Sequence, residues 1–257
     1  MIHSLDRGLS ILEYLSKRKS AGVTEIASAF DIDKSTVSRI LSTMVQHNMV
    51  YKNEETQKYS LSVGPLLFSY HVASNHQIMD LARPVLQRLT ELTQETAHLC
   101  AMHNNRVFVI DQIKSAKNRF MKDPVMPGMT EPFHCSAVGK CILAYMQPAE
   151  AHRLLEASEM SDYTDNTICD ISELFTQFDQ IREQGYALDL EEYSSKVCCV
   201  AVPVFDVYGY ASHSLGISGE SDLMRNPERF LRCVNYLKDS GKKLSEQYRA
   251  LGNTKNL

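Results

Sequence analysis

Residues 23–61 read VTEIASAFDIDKSTVSRILSTMVQHNMVYKNEETQKYSL. Val23, Ile26, Ala27 and Phe30 fall at i, i+3, i+4 and i+7, which is one apolar stripe on a helix. Asp31-Ile32-Asp33 breaks that stripe, and Asp33 is a good N-cap for a second helix. The second helix has its own stripe of Val37, Ile40, Leu41, Met44 and Val45. After Asn48 the chain alternates apolar and polar residues around a polar turn at 53–57, the pattern of a hairpin. Two short helices, a tight turn and a β-ribbon in this order predict a winged helix-turn-helix.

The polar face of the second helix suits a major groove. It carries Ser35, Thr36, Arg39, Ser42 and Thr43, with Lys34 at its start. An Arg can fork onto a guanine edge, and hydroxyls can meet bases or phosphates. Lys52 and Lys58 flank the ribbon turn, where they would meet backbone phosphate. These eight residues are the candidate contacts to a double-stranded DNA operator. The competing reading is a small helical bundle with a solvated Ser/Thr face.

Charge narrows the mode of binding. The 257 residues carry a net −4. Residues 1–62 hold eight Lys/Arg against seven Asp/Glu, and the remainder holds 19 against 24. A basic field therefore does not drive association, so affinity must come from placed contacts and from dimerisation. The N-terminus lacks the basic flank and apolar core of an export signal, and no apolar run approaches a spanning helix. Seven cysteines without an export signal point to reduced thiols in a cytoplasmic protein. No Cys-x-x-Cys occurs, which argues against structural zinc, and no cofactor motif is present.

Outward from the opening stretch, residues 4–15 form an amphipathic helix, with Ser4 as candidate cap and Leu5, Leu9, Leu12 and Leu15 inward. The DNA-binding domain then spans 1–63. Gly64-Pro65 opens a linker helix over 64–78. A second domain spans 79–251, and 252–257 form a disordered tail. In that domain Ile78, Leu81, Ala82, Val85, Leu86, Leu89 and Leu92 lie on one helix, which Pro84 should kink or start near 80. Strands follow on either side of Asn104-Asn105, then a loop at 122–132. Helices are expected at 136–146, 148–157 and 172–185, strands at 186–192, 197–205 and 211–218, and a last helix at 226–251. Helices around an antiparallel sheet make this an α+β fold.

A second cluster carries chemistry. Phe133-His134-Cys135-Ser136-Ala137-Val138-Gly139-Lys140 follows a Pro/Gly loop and opens a helix, whose free N–H groups attract an anion. Elsewhere stand Asp189-Leu190-Glu191-Glu192, Cys199 and Ser218.

The chain resembles the IclR family of bacterial transcriptional regulators along essentially its whole length. The likeness rests on SLDRGLSILEYL, VTEIASAF, DKSTVSRIL and a wing ending KYSLSVG. It continues with PFHCSAVGKCILAYM, GYALDLEEYSSKVCCVAVPVFD and LGISGES. The resemblance implies a winged-helix domain that dimerises and a GAF-like C-terminal domain that binds a small metabolite and builds tetramers. It implies that Ala137 and Val138 N–H groups hold the carboxylate of a small organic acid, while Asp189, Cys199 and Ser218 hold its other end. Val138 leaves less room than the family's usual small residue. Lys58 stands where the family has Arg, which keeps the charge and loses the bidentate fork.

Each residue also has a plainer reading. Asp189 could cap a turn, Cys199 could be a small core residue and Ser218 a turn residue. Glu191 and Glu192 read as structural or solvated, His134 as a loop hydrogen bonder, and Lys140 as solvated or paired with an acid. Two other functions compete with a ligand-responsive regulator expected to repress a catabolic operon. One is a redox regulator using the adjacent Cys198 and Cys199. The other is a Cys/His hydrolase built on His134, which lacks a nucleophile signature.

Overall fold

The computed structural model describes residues 1–117, 126–221 and 226–254. The chain divides into two compact units, Met1–Gln77 and Ile78–Leu257.

In the first unit α1 (His3–Ser16), α2 (Val23–Phe30) and α3 (Lys34–Gln46) precede a two-stranded ribbon of β1 (Val50–Lys52) and β2 (Tyr59–Leu61). Their core is Ile11, Leu15, Ile26, Val37 and Leu41, all at most 1 % exposed. Each such side chain stabilises the fold by about 1.5–3 kcal/mol relative to exposure. The inward stripe of α1 is Gly8, Ile11 and Leu15, with Leu12 beside it. Leu5 and Leu9 face outward instead, because they lie one helical step around from that stripe. Ser4 is not the cap: Ile2 holds that position and no side chain caps α1. Val45 likewise points to solvent while Met44 is buried.

The turn between α2 and α3 is made by Asp31 in the left-handed region, at φ 50°, which Asp tolerates because its short polar chain satisfies local backbone. Asp33 caps α3 by accepting from Thr36 N–H at 2.8 Å. The ribbon turn is held by Asn53 Oδ1, which accepts from the N–H groups of Glu55 and Thr56 at 3.0 and 2.8 Å. Helix α4 (Pro65–Asn75) follows with Pro65 in its first turn. Gly64 before it is obligatory, since a Cβ there would sit 2.3 Å from the carbonyl oxygen of Asn48. No residue of α4 is buried.

The second unit is built on a six-stranded antiparallel sheet in the order β5-β4-β3-β8-β7-β6. Its strands are β3 (Thr96–His103), β4 (Arg106–Ile113), β5 (Thr130–Glu131), β6 (Ala187–Leu190), β7 (Val197–Val204) and β8 (His213–Glu220). Asn104 and Asn105 both take positive φ, 48° and 59°, in the β3–β4 turn, as a two-residue hairpin requires. Strand alternation sends Val200, Val202, Leu215 and Ile217 to one face, against α5 (Gln77–Thr93) and α9 (Pro227–Thr254). Cys199, Ala201, Ala187 and Cys100 go to the other face, against α6 (Ala137–Ala144), α7 (Pro148–Ala157) and α8 (Ile171–Gln184). The sheet is thus covered on both sides.

Three expectations are corrected here. Helix α5 starts at Gln77 and runs through Pro84 rather than starting near 80; Ile78, Ala82, Leu86 and Leu89 are all buried on it. The 122–132 loop includes β5, whose Thr130 and Glu131 pair with Phe108 and Val107; residues 122–125 lie outside the described residues. The expected tail is helical through Thr254 as a continuation of α9, while 255–257 lie outside the described residues.

Candidate functional site

Two sites can be built from these elements. The first lies on α3. Arg39 is exposed and makes no side-chain hydrogen bond or ion pair among the described residues, so its guanidinium is available. Lys34 and Ser42 are exposed in the same way. Three hydroxyls are less free. Ser35 Oγ and Thr36 Oγ1 donate to the Asp33 carboxylate at 2.5 and 2.6 Å. Thr43 Oγ1 donates to the Arg39 carbonyl at 3.1 Å. The Ser35 and Thr36 bonds hold the Asp33 carboxyl well below the usual carboxylate range. These hydroxyls keep lone pairs for an incoming donor, but as donors they serve the helix itself.

The wing lysines differ. Lys52 lies 3.7 Å from Glu54, a loose pair at the ribbon turn. Lys58 lies 3.2 Å from Glu25 Oε1. Glu25 in turn accepts from Gly22 N–H at 2.8 Å. The Gly22 bond first, and Lys58 second, lower the Glu25 pKa. Lys58 therefore ties the wing to the start of α2.

The second site lies on the sheet face under α6. Asp189 pairs with Cys199 across β6–β7, Cys199 with Ser218 across β7–β8, and Ser218 with Thr96 across β8–β3. Directly opposed residues share a face, so the three predicted residues form one row across neighbouring strands. Ser218 stands within β8 rather than at a strand end, two residues before Glu220. Helix α6 packs on β6, β7 and β8. Ser136 caps it, taking the Gly139 N–H on its Oγ at 3.0 Å and the Lys140 N–H on its carbonyl at 3.0 Å. That leaves the N–H groups of Ala137 and Val138, at the positive end of the helix dipole, for a ligand.

The side chains around this row are acidic and largely buried. Burial pushes the Asp189 carboxyl up to about 7, opposed by its bond from Glu192 N–H. That bond is 2.8 Å, with a second from Tyr193 N–H at 3.3 Å, so Asp189 does cap the turn that follows β6. Burial, then Asp189, pushes Glu131 up to about 8. Lys140 is buried rather than solvated. Its ammonium meets both Glu192 oxygens at 2.7 and 2.6 Å and Gln177 Oε1 at 2.9 Å. His134 Nε2 shares a hydrogen bond with the Ser161 carbonyl at 2.9 Å, and its ring stacks on Tyr163. Cys198 and Cys199, as neighbours on one strand, face opposite sides of the sheet, and burial raises both thiols. On balance that environment disfavours a thiolate at either position.

Comparison with known proteins decides the lineage. The family described as "Bacterial transcriptional regulator IclR C-terminal" matches residues 70–246, and the "IclR helix-turn-helix domain" matches residues 4–54. The chain belongs to the IclR family. The HTH-type transcriptional regulator KdgR of Escherichia coli (strain K12) is 32% identical over 246 residues, 96% of this chain and 92% of that protein. The crystal structure of the Thermotoga maritima IclR superposes with a TM-score of 0.81 at 25% identity, covering 96% of this chain and 99% of that one. An IclR homologue from Microbacterium hydrocarbonoxydans, crystallised in complex with 4-hydroxybenzoate, shares the fold at TM-score 0.80 and 17% identity, over 96% of this chain and 99% of its own. The protein is therefore a DNA-binding transcriptional regulator, and the relatives it matches are regulators rather than enzymes. Among the described residues no helix is long and apolar enough to cross a membrane, and no cluster of His, Cys, Asp and Glu could hold a metal ion.

Sequence reasoning on this IclR regulator passed over two polar residues on the α6 face of the sheet. Glu131 belongs to a two-residue strand inside a Pro/Gly loop, which no periodicity marks. His98 lies on β3, buried to 6 % exposure. An ionisable residue within an otherwise apolar strand was the available signal for it.

Proposed function

We propose that this regulator is a cytoplasmic repressor whose operator affinity is lowered by a small organic acid bound under α6, and that it controls a catabolic operon. The row Asp189–Cys199–Ser218 facing the first turn of α6 carries the reading. Backbone N–H groups of Ala137 and Val138 would take the carboxylate. Asp189, Cys199 and Ser218 would take its hydroxyl or carbonyl end. The 4-hydroxybenzoate crystallised with the Microbacterium homologue supports a small carboxylic acid as effector.

On the DNA side, Arg39 would read a base edge, with Ser42, Lys34 and the hydroxyls of Ser35, Thr36 and Thr43 beside it. Lys52 and Lys58 would meet phosphate from the wing. A single α3 reads a short half-site, so the active form would be a homodimer or homotetramer. The exposed apolar residues of α1 and α4, among them Leu5, Leu9, Leu67 and Phe68, support self-association.

Placing a Trp at Ala137, or removing the Asp189 carboxylate by Asp189→Ala, should leave operator binding nearly intact and blunt the response to an acid found by thermal-shift screening. Operator affinity with and without saturating acid is the measurement. A normal response in both variants would remove the pocket from the mechanism and leave the DNA-binding half standing.

A further inference from the structure

The sheet face under α6 carries polar residues that the row Asp189–Cys199–Ser218 does not include. His98 pairs with Gly216 across β3–β8, and Gly216 pairs with Ala201 across β8–β7. Gly216 precedes Ser218 by two positions and Ala201 follows Cys199 by two. Positions two apart on a strand share a face, so His98 stands on the face of the Ser218–Cys199–Asp189 row, the face that α6 covers. Its imidazole lies directly over Gly216: a Cβ at that glycine would come within 2.4 Å of Nε2. The absence of a side chain at 216 is what admits the ring. His98 is 6 % exposed, and its Nδ1 is buried with no hydrogen-bond partner among the described residues.

Glu131 approaches from the other end of the sheet. It pairs with Val107 on β4, and Val107 belongs to the core under α6, so the two share that face. Its carboxyl lies close enough to Asp189, Cys100, Cys199 and Cys135 to raise the pKa of each or be raised by it. We propose that His98 and Glu131 form a second polar wall of the pocket and select, among small carboxylic acids, those that carry hydroxyl groups along the chain.

Donor and acceptor chemistry leads there. Burial drives the His98 pKa down to about 4, so the ring is neutral near pH 7 and offers one donor and one acceptor. Glu131, held up near 8, is largely a neutral acid that offers the same pair. An aliphatic acid leaves these groups unpaired in a largely buried wall, and a carbonyl meets only their donors. A hydroxyl is itself donor and acceptor and satisfies either one. An unpaired buried polar group costs roughly tenfold or more in affinity. Discrimination by a site built to hydrogen-bond a hydroxyl is correspondingly steep.

The inference rests on the reading that this pocket takes an organic acid, and the test separates the two. Binding of matched acids of equal chain length to the full-length protein is measured by calorimetry and thermal shift: glycerate against propionate, and gluconate against hexanoate. The expected result is that a hydroxylated member binds wild type at least about tenfold more tightly than its aliphatic partner. His98→Leu and Glu131→Leu should each cut that preference about tenfold or more by weakening the hydroxylated acid, while leaving the aliphatic one as tight or tighter. Glu131→Gln, which keeps a donor and an acceptor, should retain most of the preference. Ligand-free melting of each variant reports folding separately, and Glu131→Gln serves where a Leu variant fails to fold. Preference for the aliphatic acid in wild type, or preference unchanged in the variants, overturns the inference. If Ala137→Trp then still abolishes acid binding, the pocket reading survives that failure. If no acid binds wild type, both fall together.

Discussion

Replacing Lys140 by Met is the most informative single perturbation of the second unit. Lys140 is 1 % exposed, and Glu192, its partner at 2.6 Å, is 4 % exposed. Removing the ammonium leaves the Glu192 carboxylate inside the unit with, among the described residues, the Leu190 N–H at 3.2 Å as its remaining donor. Breaking one side of a buried ion pair costs about 3–5 kcal/mol. For a unit of this size each kcal/mol lowers the melting temperature by about 2–4 °C. Lys140→Met should therefore lower the transition of residues 78–257 by roughly 6–20 °C in calorimetry, with the paired variant Lys140→Met/Glu192→Leu recovering most of the loss. The substitution should also weaken effector binding, because the Glu192 and Tyr193 N–H groups hold the Asp189 carboxylate and the ion pair fixes that turn to α6. A loss below about 1 kcal/mol would refute the reasoning, since only a water-accessible pair is that weak.

Three further outcomes follow from the same structure. Arg39→Ala should cost about 1–3 kcal/mol of specific operator binding in a mobility shift while leaving melting unchanged; an unaltered shift would remove α3 as the reading helix. Lys52→Ala should weaken cognate and non-cognate duplexes alike and reduce the magnitude of the salt slope by about one, with Lys58→Ala in addition loosening the wing by releasing Glu25; a loss confined to the cognate duplex would mean that the wing reads bases. The Asp189 and Glu131 carboxyls titrate in the folded protein near 7 and 8, above their usual values. Their neutral forms are favoured by the fold, so the stability they contribute is complete below about pH 4 and is lost as pH rises through 7–8. Glu131→Gln should consequently be more stable than wild type at pH 9, by about 1–3 kcal/mol, and no more stable at pH 4; equal melting at pH 9 would place Glu131 in water.

The elements with strong periodicity and sharp punctuation were legible in the sequence. Asp33, Pro65, Asn104-Asn105 and Gly185 mark caps and turns by their own backbone chemistry, and the structure uses each of them there. Stripes of leucine on α1 were misleading, since Leu5, Leu9 and Leu12 form as good a stripe as Gly8, Ile11 and Leu15 until tertiary packing chooses. The proposed pocket was legible only in pieces. Asp189, Cys199 and Ser218 are ten and nineteen residues apart in sequence, and strand register alone brings them into one row. A lysine reads as a surface residue by default, so the burial of Lys140 could not be seen without Glu192, 52 positions away. His98 needed the gap at Gly216 to be recognised as a wall.

Operator affinity measured with and without an effector acid tests the central claim most directly. A duplex selected by the full-length protein from a random pool supplies the operator, and an acid that raises the melting temperature supplies the ligand. Fluorescence anisotropy should show the duplex bound at least about a thousandfold more tightly than a shuffled one, and saturating acid should weaken that binding by about 5–150-fold. Asp189→Ala should keep the first property and lose the second. An acid that binds under α6 and leaves operator affinity unchanged would contradict the link between the two units, and a protein that selects no duplex from the pool would contradict the DNA-binding role itself.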